Sequence, residues 1–98
     1  MSGFTTTPEA RADLNGIWDY TAAHWDSEQA DRYTELIIKT CGDLAEGSIR
    51  GRQVEFVRAG YFKYSVGSHV AFYRFLSGGM DLVRVLHKQM DATRHLST

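Results

Sequence analysis

The stretch Tyr61-Phe62-Lys63-Tyr64-Ser65-Val66-Gly67-Ser68-His69-Val70-Ala71-Phe72-Tyr73-Arg74-Phe75-Leu76 decides the architecture. Its β-branched and aromatic residues suit a pleated, half-buried backbone. Gly67-Ser68 interrupts it, with a glycine where a type II′ turn needs positive φ. A two-residue turn there sets Val66 opposite His69, Phe62 opposite Tyr73 and Tyr61 opposite Arg74. Side chains alternate along a strand, so one face collects Phe62, Tyr64, Val66, Ala71, Tyr73 and Phe75. The other collects Tyr61, Lys63, Ser65, Val70, Phe72, Arg74 and Leu76. The first suits packing beneath helices. The second mixes cations with aromatic rings and reads, on the residues alone, first as an ordinary half-solvated sheet face. An open RNA-binding or protein-binding face gives the other readings.

Working outward, the period of two continues on both sides. Residues 54–58 read as a strand, Ala59-Gly60 as a turn and 61–66 as the next strand. After 70–76, Ser77-Gly78-Gly79 turns into a last long strand over 80–88, followed by a short polar tail. The segment 70–76 is apolar on both faces, which predicts a central strand. Upstream the period becomes helical. Thr7-Pro8-Glu9 supplies an N-cap, a proline at the first helical position and an acid at the positive dipole end. Leu14, Ile17, Trp18, Thr21 and Trp25 then form one stripe, the tryptophans reading as core, with Arg11, Asp13 and Asp19 on the wet side.

Asp26-Ser27 breaks that helix and caps a second, whose stripe is Ala30, Tyr33, Ile37, Thr40, Cys41 and Leu44, with Gly47 as terminator. With a short strand at Gly3-Phe4-Thr5-Thr6, the outline is β-α-α-β-β-β-β. The expected fold class is therefore α+β: an N-terminal short strand and an α-helical hairpin packed on a C-terminal antiparallel sheet, as a single domain over 1–98.

Bulk properties bound the function. At 98 residues, 43% hydrophobic and 23% charged, the chain reads as one small soluble domain. No apolar run approaches the ~20 residues that span a bilayer, and the N-terminus lacks a signal-peptide core, so a cytoplasmic protein without a membrane partner is expected. The net charge of −1 conceals a division. Residues 1–47 carry three basic and nine acidic groups, net −6, whereas 48–98 carry eight basic and three acidic groups, net +5. A basic sheet half is suited to an acidic partner.

Cys41 has no disulfide partner and falls in an apolar register, so a buried, inert thiol is expected. No zinc spacing occurs, and neither metal nor cofactor is expected. His69 and His87 read as hydrogen-bonding residues at strand ends. Residues 48–53 hold Arg50-Gly51-Arg52; a phosphate-cradling loop is one reading, and a solvated connector is the expected one.

Several separated blocks carry a family resemblance: Ile17-Trp18-Asp19-Tyr20 with Trp25, Gln29-Ala30 with Tyr33, Gly60-Tyr61-Phe62-Lys63-Tyr64, the run from Gly67 to Arg74, and Leu82-Val83-Arg84-Val85-Leu86-His87-Lys88-Gln89-Met90-Asp91 followed by Arg94-His95-Leu96. Together they resemble the ParE toxins of type II toxin–antitoxin modules, within the RelE/ParE superfamily. The resemblance implies a growth-arresting toxin, tied to plasmid or chromosomal stability, that binds DNA gyrase and is neutralised by a ParD-like antitoxin. It implies no catalytic residue and no direct sequence-specific binding of nucleic acid. Partner contacts are expected from the basic-aromatic face (Tyr61, Lys63, Phe72, Arg74) and from the last strand and tail (Arg84, His87, Lys88, Met90).

Two alternatives stay open. One is a RelE-like ribosome-dependent mRNA endonuclease, the other an inactive binding relative. Metal-free RNA cleavage needs an acid, a base and cations for the phosphorane charge. RelE-like nucleases place two basic residues on one strand, an arginine on the next, and an arginine then a tyrosine near the C-terminus. Those places fall on Tyr61, Lys63, Val70, Gln89 and His95, where only Lys63 keeps its charge. An apolar Val70 and a neutral Gln89 argue against cleavage.

Overall fold

The computed structural model describes residues 3–54, 59–90 and 92–96. The order is β1 (Phe4–Thr6), α1 (Pro8–His24), α2 (Ser27–Glu46), β2 (Arg52–Gln53), β3 (Phe62–Val66), β4 (His69–Leu76), β5 (Gly79–His87) and α3 (Ala92–Leu96). The strands form one sheet in the order β1-β5-β4-β3-β2. Strands β2 to β5 are antiparallel neighbours, and β1 joins the far edge parallel to β5, making the sheet mixed. The apolar β4 is its central strand, as its two-faced pattern predicts.

Local chemistry sets the helix ends. The Thr7 hydroxyl accepts from the Ala10 N–H at 3.0 Å, with Pro8 at the first position of α1. Asp26 caps α2 by accepting from Gln29 N at 2.7 Å, and Gly47 ends it in the left-handed region at φ 84°. The β3–β4 turn places Val66 opposite His69 and Phe62 opposite Tyr73, the register the sequence predicts. Gly67 takes φ 57°, and a Cβ there would also strike the Tyr33 ring. The predicted strand at 54–58 falls mostly outside the described residues; Val54 itself is buried and donates its N–H to Tyr61 O.

Two cores lie on opposite faces of the sheet. Under the helical hairpin, Ile17, Ile37, Cys41 and Leu44 meet Val66, Ala71, Tyr73, Met80, Leu82 and Val85. Full burial of Ile37, Leu44 or Leu82 contributes roughly 1.5–3 kcal/mol each. On the other face, Val54, Tyr61, Phe72 and Leu86 pack with Leu96 from α3. This corrects the expectation of an open face and a polar tail. Residues 92–96 are helical, and the apolar Ala92 and Leu96, four apart, turn one side of that helix to the sheet.

The edge of β5 beyond β1 is closed by side chains. Thr7 gives its N–H to Leu82 O at 3.0 Å and its hydroxyl to Val83 O at 2.7 Å. Asp13 accepts from Val85 N at 2.9 Å and takes both donors of Arg84, at 2.7 and 2.9 Å. Asp13 therefore faces the sheet rather than water, contrary to the sequence expectation. Its carboxylate stands where a neighbouring strand would otherwise satisfy the backbone. Trp25 also departs from expectation: it ends α1 with 76% of its surface exposed.

Candidate partner-binding surfaces

Two concave regions lie apart on the molecule. The larger is a groove of about 900 Å³ between α1, the start of α2 and the β4–β5 end of the sheet. Its walls include Ile17, Tyr20, Trp25, Tyr33, His69, His87 and Met90. Tyr20 is 65% exposed and stacks on His24 at 3.9 Å between ring centroids, while Met90 is 41% exposed. Tyr20 of α1 and Trp25, the C-cap residue of that helix, both line the groove.

The floor of the groove is a polar network. The Tyr33 oxygen accepts from Ser68 N at 3.0 Å and lies 2.7 Å from His69 Nδ1. The His69 and His87 rings meet edge to face at 5.4 Å. Burial, and next the neighbouring His87, hold the His69 imidazole below its ordinary range, with a smaller opposing pull from Asp13. A neutral His69 accepts the Tyr33 proton at Nδ1 and leaves its own N–H on Nε2. On the adjoining ring, His87 Nδ1 accepts from Gln89 N at 3.2 Å.

The smaller region is a cleft of about 390 Å³ at the opposite edge, lined by Arg50, Gly51, Arg52, Lys63, Tyr64 and Ser65. Arg52 stands directly opposite Lys63 in the β2–β3 pairing. Gly51 N donates to the hydroxyl of buried Tyr73 at 2.8 Å. A Cβ at Gly51 would collide with Lys63 O and that same hydroxyl, so glycine is what allows the loop to lie flat on the sheet. Arg52–Gln53 thus forms an edge strand where a solvated connector is the sequence expectation.

The residues singled out from sequence are distributed unevenly. Tyr61 and Phe72 are buried in the second core, at 6% and 4% exposure, which withdraws them from the open face expected for them. Arg74 grips Asp81 through two donors at 3.1 and 3.0 Å, and Arg84 is held by Asp13. The Asp13 hydrogen bonds keep the Arg84 guanidinium above even its usual high range. Lys63 lines the cleft; His87 and Met90 line the groove, with exposed Lys88 between them in the chain. Cys41 is buried, and burial pushes its thiol up to about 12, which removes it as a nucleophile.

The nuclease positions are not gathered in either concave region. Lys63 lies in the cleft and Gln89 in the groove, while Tyr61 and Val70 serve the second core beneath α3. Tyr20, Trp25, Tyr33 and His69 were not among the residues expected to bind a partner. Their signal was present: Trp25 directly precedes the Asp26 cap, at a helix end where a large ring has little sheet left to cover.

A short sheet with a helical hairpin on one face, a second small core on the other and an exposed aromatic groove defines a small α+β domain. Comparison with known proteins makes this specific. Residues 4–92 match the family model of the ParE toxin of the type II toxin–antitoxin system parDE. Toxin ParE1 of Mycobacterium tuberculosis is 40% identical over 96 residues, spanning 97% of this chain and 98% of that protein. Toxin ParE1 of Caulobacter vibrioides is 38% identical over 96 residues, spanning 98% and 99%. In structure, a chain of the chromosomal ParDE TA system from P. aeruginosa superposes with a TM-score of 0.75 at 21% identity, covering 89% of this chain and 96% of that one. This chain belongs to the ParE family of toxins from type II toxin–antitoxin systems.

Proposed function

We propose that this toxin arrests growth in the cytoplasm by binding DNA gyrase, without chemistry of its own, and that a ParD-like antitoxin neutralises it by laying its C-terminal segment in the aromatic groove. One observation carries this reading: Trp25, Tyr20 and Met90 stand exposed around a single groove with two imidazoles at its base. Exposed rings in a concave surface are suited to a folding-on-binding segment, which gains affinity from buried aromatic anchors. Exposed ring faces accept apolar side chains, and exposed Lys88 beside them suits acidic residues of that segment.

Support for binding rather than catalysis comes from how the cations are used. Arg74 and Arg84 are both committed to carboxylates inside the fold. Lys63, His87, Lys88 and Met90 are the sequence-derived contact residues that lie at accessible surfaces, and Tyr20 and Trp25 join them.

The test is a gyrase supercoiling assay with purified toxin, with and without antitoxin. Inhibition with trapped cleaved DNA, relieved by antitoxin, is the expected result. Folded toxin that arrests growth yet leaves gyrase untouched would transfer the reading to messenger RNA cleavage or another topoisomerase. Folded toxin that does neither would mark an inactive relative.

A further inference from the structure

We propose that the cleft at the β2–β3 edge is an anion site for the phosphodiester backbone of a nucleic acid, with Arg50, Arg52 and Lys63 supplying the charge and Ser65 a hydroxyl. The site lies apart from the aromatic groove. It is independent of which protein the toxin inhibits.

The first ground is the placement of Arg52 directly opposite Lys63. Like charges facing one another across a ladder destabilise it unless an anion sits between them. Arg50 adds a third cation to the same cleft, and among the described residues no carboxylate lines it. Among the described residues, none of the three cations has an ion-pair partner. Elsewhere Arg32, Lys39, Arg74 and Arg84 each hold an acid.

The second ground is that the cleft is built rather than incidental. Gly51 is pinned between the two arginines by its hydrogen bond to the Tyr73 hydroxyl, and Tyr73 is itself 2% exposed. Its fit against Lys63 O admits no side chain. The rigid core therefore fixes the point from which both guanidinium groups extend. Two guanidinium forks and an ammonium are donors matched to phosphate oxygens. The Ser65 hydroxyl in the same cleft makes no hydrogen bond among the described residues. It is free to join them.

The third ground distinguishes the ligand class. An acidic peptide that folds onto a protein needs apolar anchors as well as charge, and the aromatic groove offers those. The cleft offers cations and a hydroxyl at an exposed sheet edge, and Tyr64 is the one aromatic residue in its described lining. A phosphate backbone needs no pocket for side chains, and it gains affinity by releasing counterions. Recognition of this kind is independent of base sequence.

Fluorescence anisotropy of the full chain with a short labelled DNA duplex, and separately an RNA duplex, tests the site. The Arg50→Ala/Arg52→Ala/Lys63→Ala variant should bind at least tenfold more weakly, and the slope of log affinity against log salt should fall by about 2–3, at roughly 0.9 per lost phosphate contact. Trp25→Ala should leave both quantities unchanged. Binding to DNA alone, RNA alone or both supports the site and tells which backbone it accepts. Should the triple variant fail to fold, Arg52→Gln and Lys63→Gln separately should each lower the slope by about 0.9. The proposal is overturned if the toxin binds neither duplex at about 50 mM salt, where backbone contacts are strong. It is equally overturned if the variants bind duplex as well as the parent, or if they lose only the antitoxin segment, which would assign the cleft to an acidic peptide.

Discussion

The groove beside α1 and the cleft at the β2–β3 edge manage charge in opposite ways. In the groove, Asp13 sits in the wall with its carboxylate already spent on Arg84 and Val85, and the surface offered outward is ring and thioether. In the cleft, three cations stand unpaired among the described residues, and the ring that matters, Tyr73, is buried as an anchor. Satisfied charge leaves apolar surface to drive binding, whereas unsatisfied charge invites an anion. One small fold thus presents two chemistries at opposite edges of a sheet.

Removing the internal ion pair should break the comparison hardest. Asp13→Ala strands a guanidinium and an N–H that are largely shielded, since the Asp13 and Arg84 side chains are 15% and 20% exposed. Urea unfolding should show a loss of about 2–4 kcal/mol. Arg52→Ala/Lys63→Ala should change stability by no more than about 0.5 kcal/mol, as expected for surface cations without partners. Equal losses in the two variants would mean that the cleft cations are structural after all.

Trp25→Ala sharpens the contrast by separating binding from stability. With 76% of its surface exposed, Trp25 adds little to the core, and its loss should leave the melting temperature within a degree or two. Affinity for the antitoxin segment should fall by about 2 kcal/mol, roughly thirtyfold, as for an aromatic hot spot. Titration calorimetry reads both binding and its enthalpy. An unchanged affinity would move the antitoxin out of the groove.

How much of this was legible in the chain depends on the range of the interaction involved. The β3–β4 register, both helix caps and the Gly47 terminator follow from contacts within four residues, and sequence alone predicts them. The sorting of Phe62, Tyr73 and Val66 toward the helices follows from strand alternation. Asp13 turns inward through partners, Arg84 and Val85, that lie more than seventy residues away, and no local pattern announces them. Tyr61 and Phe72 were expected on an open face because the cover that buries them is a five-residue helix, too short to show a periodic stripe. The Arg50-Gly51-Arg52 cleft needed the β2–β3 pairing before Lys63 became a neighbour.

The smallest expected effect lies at the base of the groove. The His69 imidazole is held below its ordinary range first by burial and then by His87. The folded state therefore binds its proton less readily than the unfolded chain, so folding favours neutral His69. Its contribution is fully present above the unfolded imidazole value of about 6.5 and is lost as pH falls from there through the lowered folded value. Protonation also reverses the contact with Tyr33: Nδ1 becomes a donor, and the phenol proton must turn toward Val66 O, 3.3 Å away. Thermal unfolding between pH 7.5 and 5 should show a slight decline that His69→Gln flattens, because the amide can accept from Tyr33 without titrating. The cleft, whose described lining holds no histidine, should show no matching decline in duplex affinity. A stability curve as steep in His69→Gln as in the parent would place the titrating group elsewhere.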